Sequence, residues 1–92
     1  MDDFRYSDHA RVRMQQRGIA LAVVESLLEY GQTEHDHRGG TIYYFSKAAS
    51  RRARSPALQR ILEEGRKVYA VVSADQVVVT VGHRTKRIRR AV

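Results

Sequence analysis

The stretch from residue 7 to residue 19, S-D-H-A-R-V-R-M-Q-Q-R-G-I, constrains the fold more than any other part of the sequence. Ser7 is a preferred helix N-cap, an acidic residue follows it, and Gly18 suits the left-handed turn that ends many helices. The pattern predicts a helix of about three turns. Three apolar side chains recur at helical spacing and predict the face that packs on the rest of the protein: Tyr6, Ala10 and Met14.

Basic residues follow the same side of this predicted helix. His9, Arg13 and Arg17 are four residues apart and fall along or beside the apolar face. Like charges at this spacing repel, so we expect an anionic group nearby. In one interpretation the arginines extend over the core edge to Glu25, Glu29 or backbone carbonyls, and His9 is a hydrogen-bonded packing residue. In the other, the three side chains line a phosphate-binding cleft, since guanidinium groups match phosphate oxygens and imidazole exchanges protons near neutral pH.

The charge of the chain is unevenly distributed. Its 92 residues include 17 Lys and Arg and 10 Asp and Glu, a net charge of +7, to which residues 1–46 contribute −2 and residues 47–92 contribute +9. A basic half predicts a polyanionic partner, with nucleic acid ahead of an acidic protein and a membrane surface. The candidate phosphate contacts in this half are Arg51, Arg52, Arg54, Lys86, Arg87, Arg89 and Arg90.

Length and composition predict one domain over residues 1–92, with a core at about 5–84 and a basic tail at 85–92. The sequence has no cysteine, which excludes thiolate metal sites and fits a reducing compartment. The apolar runs are shorter than a membrane span and the first residues do not resemble a signal peptide. We therefore expect a cytoplasmic protein without membrane contact.

The next elements are a helix and a hairpin. Residues 19–30 predict a second helix, which we expect to pair with the first in an antiparallel helical hairpin. A Gly-Gly pair between residues 32–37 and 41–46 predicts a tight β-hairpin that places His35 opposite Tyr44. The first strand of this hairpin is almost wholly polar, which predicts that it lies at an edge of the sheet.

The second half of the chain predicts a helix and two further strands. A Ser-Pro pair at 55–56 begins a helix of about nine residues. Strands follow at 66–73 and 76–83, the second being a β-branched run typical of a buried central strand, whose register stays open. Residues 2–6 form either a short strand or an arm. The predicted fold is α+β, with two N-terminal helices packed on a four-stranded antiparallel sheet and a short extra helix.

The sequence contains side chains suited to RNA cleavage without metal. That reaction needs a base for the 2′-hydroxyl, an acid for the leaving 5′-oxygen and cations around the phosphate. The candidates are His9 and His83 as base and acid, Arg13, Arg17 and Arg84 as cations, and Tyr44 or Thr80 as a phosphate donor. The competing interpretation is that these histidines lie at the surface without a role. The spacing of His35 and His37 offers two metal ligands, too few for a site, so we predict no metal and no cofactor.

Three segments resemble a known family. They are H-A-R-V-R-M-Q-Q-R-G-I from His9, L-A-V-V-E-S-L-L from Leu21 and V-V-V-T-V-G-H-R from Val77. Over roughly residues 5–84 the chain is similar to the small bacterial proteins of the DUF4258 family. That family more distantly resembles RelE-like toxins and the ribonucleases related to barnase and colicins, in which two helices precede an antiparallel sheet and basic residues line a cleft over it.

The resemblance implies a metal-independent RNA endonuclease of bacterial toxin type, or an RNA-binding relative of one, with a cognate antitoxin protein as partner. The alternative is a non-catalytic basic module that binds nucleic acid or an acidic protein through the same surface. A cleft that joins His9 and Arg13 to a C-terminal histidine or arginine favours the enzyme, whereas a flat, scattered basic face favours the module.

Overall fold

A computed structural model describes residues 4–46 and 54–84. In this part of the chain, three helices pack on a five-stranded sheet in the order β1-β5-β4-β3-β2. The elements are β1 (Arg5–Tyr6), α1 (Asp8–Gln16), α2 (Leu21–Tyr30), β2 (Gln32–His35), β3 (Thr41–Tyr44), α3 (Pro56–Glu64), β4 (Val68–Val72) and β5 (Val77–His83). The α+β class is confirmed, but the four-stranded antiparallel sheet is wrong, because β1 adds a fifth strand that runs parallel to β5.

Helix α1 begins at Ser7 and turns at Gly18 as the sequence predicts. The Ser7 hydroxyl accepts a hydrogen bond from Ala10 N at 3.0 Å, and Gly18 has a φ of +63°. Ser7 also bonds to β5, because its N–H donates to Val78 O at 3.0 Å and its hydroxyl donates to Val79 O at 3.1 Å. These bonds fix the start of α1 against the sheet, and the helix packs along β5.

The first two helices lie on different parts of the sheet. Helix α1 packs on β5, whereas α2 packs mainly on α3 and over β3 and β4. The predicted antiparallel helical hairpin is therefore wrong, and the extended backbone of Ala20 (φ −71°, ψ 144°) separates the two helices. Because α2 buries Val23, Val24 and Leu27, Leu21 is left 51% exposed. Helix α3 has the predicted length of nine residues.

The turn between β2 and β3 is longer than the Gly-Gly pair predicts. Asp36 Oδ1 accepts hydrogen bonds from Arg38 N at 2.7 Å and Gly40 N at 2.8 Å. These bonds to backbone N–H groups hold the pKa of Asp36 below its usual value. His37 and Gly39 have positive φ angles of 67° and 86°. The turn thus takes up residues 36–40 and shortens both strands.

This turn changes the register of the β2–β3 hairpin. Gln32, not His35, lies opposite Tyr44, and His35 lies opposite Thr41. The predicted register is wrong because the side chain of Asp36, two residues before the Gly-Gly pair, organises the turn. The position of β2 at an edge of the sheet is confirmed.

The pairing of β4 with β5 settles which residues face the helices. Ala70 lies opposite Val81 and Val72 opposite Val78, and all four are buried in the core against the helices. Tyr69, which precedes Ala70, is on the other face of β4. We call this second side the open face. The short strand β1 pairs with the start of β5 on the side away from β4. The central strand of the five is therefore β4.

Replacing Ser7 with alanine removes the N-cap of α1 and the hydroxyl bond to Val79 together. We expect the free energy of unfolding to fall by about 2 kcal/mol, since a cap and a second hydrogen bond each contribute about 1 kcal/mol. Urea denaturation followed by circular dichroism measures the change. Ser55→Ala is the matched control, because Ser55 caps the exposed start of α3 through Leu58 N, and it should cost about 1 kcal/mol. Equal losses in the two variants would contradict a stabilising role of the bond to Val79.

Candidate nucleic-acid interface

His9 and Arg13 form a hydrogen-bonded pair on α1. Arg13 Nε donates to His9 Nε2 at 3.4 Å, near the outer limit for such a bond. His9 is exposed and Arg13 half-buried. Within residues 4–46 and 54–84, neither Arg13 nor Arg17 has a carboxylate within 4.0 Å, so these arginines do not pair with Glu25 or Glu29. Arg13 therefore contacts an imidazole and not a carboxylate, and its positive charge stays available to an anion.

Arg17 extends from the end of α1 to the open face of the sheet. A Cβ atom built on Gly82 would lie 2.7 Å from Arg17 Nη1 and 3.0 Å from Tyr69 Oη. Both groups thus approach the β5 backbone because Gly82 carries no side chain. Tyr69 is the direct cross-strand partner of Gly82. Sequence reasoning did not identify Tyr69, although a glycine inside a β-branched strand is a signal of close approach.

Arg84 is held by backbone carbonyls at the end of β5. Its Nη2 donates to Phe45 O at 3.1 Å and to Arg66 O at 2.9 Å, and its Nε donates to Arg66 O at 3.3 Å. The guanidinium carbon lies 5.5 Å from the centroid of the Tyr44 ring. The bonds to backbone carbonyls that one interpretation gave to Arg13 and Arg17 are thus found instead at Arg84. This side chain joins the ends of β3 and β5 to the segment between α3 and β4.

A carboxylate also lies on the open face. Tyr44 Oη donates to Glu34 Oε1 at 3.4 Å, and Tyr44 is the cross-strand partner of Tyr69. Thr80, the other predicted phosphate donor, lies opposite Val71 and so shares this face. The open face thus combines tyrosine hydroxyls with the guanidinium groups of Arg17 and Arg84.

The predicted catalytic residues fall into two groups along α1. The helix starts beside Val79 and its last turn brings Arg17 to Gly82. His83 is the next residue, exposed at the end of β5. From His9 to Arg17 the helix rises about 12 Å. One group is therefore His9 with Arg13, and the other lies around the end of β5 and consists of Arg17, His83 and Arg84. These two groups do not form the single cleft expected of the enzyme, so cleavage stays a prediction.

The remaining predicted contacts are mostly beyond the described residues. Arg54 is exposed and directly precedes the N-cap of α3. Six others lie outside the described residues: Arg51, Arg52, Lys86, Arg87, Arg89 and Arg90. In the described ranges, no three His, Cys, Asp or Glu side chains are grouped to hold a metal ion. No helix there has the length and hydrophobicity to cross a membrane.

The two arginines of the open face should respond differently to substitution by lysine. Arg84→Lys loses the guanidinium fork that reaches two carbonyls, so we expect the free energy of unfolding to fall by about 1–3 kcal/mol. Arg17→Lys keeps the charge at an exposed position, so the free energy of unfolding should change by less than about 0.5 kcal/mol. Thermal and urea unfolding of the two variants measure the difference. Equal destabilisation would show that Arg17 also has a structural role.

Comparison with known proteins gives one match. The model of a domain of unknown function, DUF4258, matches residues 6–83. No curated protein and no solved structure matches the chain, so the more distant likeness to RelE-like toxins stays a prediction. The matched residues run from β1 to the last residue of β5 and include His9, Arg13, Arg17 and Gly82. The chain belongs to the DUF4258 family.

Proposed function

We propose that this protein binds RNA through phosphate contacts along α1 and the adjoining end of β5, and that it cleaves the bound strand without a metal ion. The observation that carries the proposal is the pair formed by His9 and Arg13, an imidazole bonded to a guanidinium that has no carboxylate within 4.0 Å among the described residues. Such a pair combines a proton acceptor with a phosphate ligand.

The binding part of the proposal depends on the arrangement of positive charge. Arg13 and Arg17 lie on one side of α1, and Arg84 lies on the open face that Arg17 reaches. The rise of about 12 Å from His9 to Arg17 is long enough for contact with more than one phosphate group. The net charge of +9 on residues 47–92 adds a long-range attraction for a polyanion. These features support RNA as the partner.

The chemical part of the proposal is an internal transesterification. His9 Nε2 takes the proton of a 2′-hydroxyl, the 2′-oxygen forms a bond to phosphorus, and the bond from phosphorus to the 5′-oxygen breaks. Water gives a proton to the 5′-oxygen, and His9 returns its proton to solvent. The products are a 2′,3′-cyclic phosphate and a 5′-hydroxyl. When Arg13 turns to the phosphate, it leaves His9 Nε2 free to accept the proton and stabilises the charge that develops on phosphorus oxygens.

His83 has a different place in this scheme from the one that the sequence predicts. It lies at the Arg17 end of α1, whereas His9 lies near the start of the helix. An acid must come within about 3 Å of the oxygen that it protonates. We therefore propose that His83 contacts the neighbouring nucleotide, while the phosphodiester that reacts lies beside His9.

Binding is tested with a fluorescently labelled single-stranded RNA at several salt concentrations. If about four phosphates are engaged, the log–log slope of affinity against salt should be near −3, since each phosphate contributes roughly −0.7. Arg13→Ala and Arg17→Ala should each weaken binding and reduce the slope by about 0.7. Arg11→Ala is the matched control, because Arg11 is exposed on the other side of α1. Affinity that does not depend on salt would contradict phosphate contact.

Cleavage is tested with the same RNA in the presence of a chelator. The unmodified protein should form a 2′,3′-cyclic phosphate and should leave the corresponding DNA intact. His9→Ala should lower the rate by about 10²-fold or more with little change in affinity, and His83→Ala should have a smaller effect on rate. His35→Ala is the matched control on the exposed edge strand β2. RNA that is bound but not cleaved by the unmodified protein would identify the non-catalytic module instead.

A further inference from the structure

We infer that Arg17, Tyr69 and Gly82 form a phosphate-binding subsite on the open face of the sheet. In this subsite the Arg17 guanidinium and the Tyr69 hydroxyl donate to one phosphate oxygen above Gly82. The inference rests on the proposed function and adds a position on the sheet, separate from His9 and Arg13, where the RNA backbone is held. Tyr69 thereby becomes a binding residue.

The geometry of the two donors suits one shared acceptor. Arg17 Nη1 and Tyr69 Oη lie 2.7 Å and 3.0 Å from the position of a Cβ atom on Gly82, so they are less than about 6 Å apart. Two donors this close together can both contact one phosphate group, because each hydrogen bond spans about 3 Å. A charged donor and a neutral hydroxyl that converge in this way form a site for an oxyanion.

The electrostatics around this point favour an anion. Among the described residues, no carboxylate lies within 4.0 Å of Arg17. Arg84 contributes a second positive charge on the same face, two residues after Gly82 and just beyond the end of β5. The Glu34 carboxylate belongs to β2, at the opposite edge of the sheet, and accepts a hydrogen bond from Tyr44 on β3. The charged side chains described beside the end of β5 on this face are therefore the two guanidinium groups of Arg17 and Arg84.

Position 82 requires a glycine because the side chains of Arg17 and Tyr69 approach it closely. Its backbone conformation does not require one. Gly82 does not have a positive φ, so alanine can adopt the same backbone conformation. The methyl group of alanine would nevertheless meet Arg17 Nη1 at 2.7 Å and the Tyr69 ring at 3.1 Å. The end of a flexible arginine moves more readily than a strand, so Gly82→Ala should displace the guanidinium and leave the fold intact.

Two variants and one control test the subsite. Tyr69→Phe removes only the hydroxyl, and Gly82→Ala displaces Arg17. We expect each to weaken binding of a labelled single-stranded RNA by about tenfold, as the loss of one hydrogen bond to a charged group predicts. Tyr30→Phe, at the exposed end of α2, should bind RNA like the unmodified protein. Thermal unfolding of each variant shows whether it is folded. If Gly82→Ala does not fold, Tyr69→Phe alone tests the subsite.

A second measurement separates the subsite from the proposed function. Inorganic phosphate is titrated into the full-length, ¹⁵N-labelled protein, and the Gly82 amide resonance should shift with saturation in the unmodified protein and weakly in Tyr69→Phe. If the protein binds RNA but Tyr69→Phe and Gly82→Ala bind it as tightly, the subsite is wrong and the proposed function stands. If RNA does not bind but phosphate shifts the Gly82 resonance, the subsite stands and the proposed function is wrong. A Gly82 resonance that phosphate leaves unchanged would overturn the subsite.

Discussion

The hydrogen bonds between Ser7 and β5 determine where the candidate functional side chains of α1 lie. The Ser7 N–H and hydroxyl bind Val78 and Val79 while the same hydroxyl caps α1. The helix then runs along β5, and its regular rise brings Arg17 to the level of Gly82. A different start of α1 would move every basic side chain of this helix relative to the sheet. One serine thus couples the helix, the strand and the proposed RNA surface.

Arginine has two distinct roles on the open face. Arg84 places its guanidinium on two backbone carbonyls and over an aromatic ring, so it stabilises the ends of strands. Arg17 has an exposed side chain whose end lies near Gly82 and the Tyr69 hydroxyl, so its charge is accessible from solvent. Because the two guanidinium groups lie on the same face, the structural charge of Arg84 also raises the local positive potential for a bound phosphate. Stability and the proposed binding of RNA therefore depend on one set of charges.

Local signals in the sequence were sufficient to predict the helices, but they were insufficient to predict the pairing register of the strands. The caps at Ser7 and Ser55 act within three residues, so α1 and α3 could be predicted. The β2–β3 register depends on the Asp36 side chain, and β1 is only two residues long, too short for a hydrophobic pattern. Tyr69 was not identified because the register of β4 and β5 was open, and the register decides which face of the sheet a strand residue belongs to. The basic side of α1 was predicted, but its contacts depend on tertiary packing.

The position of RNA on the molecule tests the central claim most directly. Backbone amide resonances of the ¹⁵N-labelled protein can be followed during titration with a short single-stranded RNA at low salt. If RNA lies along α1 and the end of β5, the largest shifts will come from residues 9–17 and 80–84, and the amides of α2 and α3 will change little. Shifts that are concentrated on α2 and α3, with α1 and β5 unchanged, would contradict the assignment of this surface to RNA.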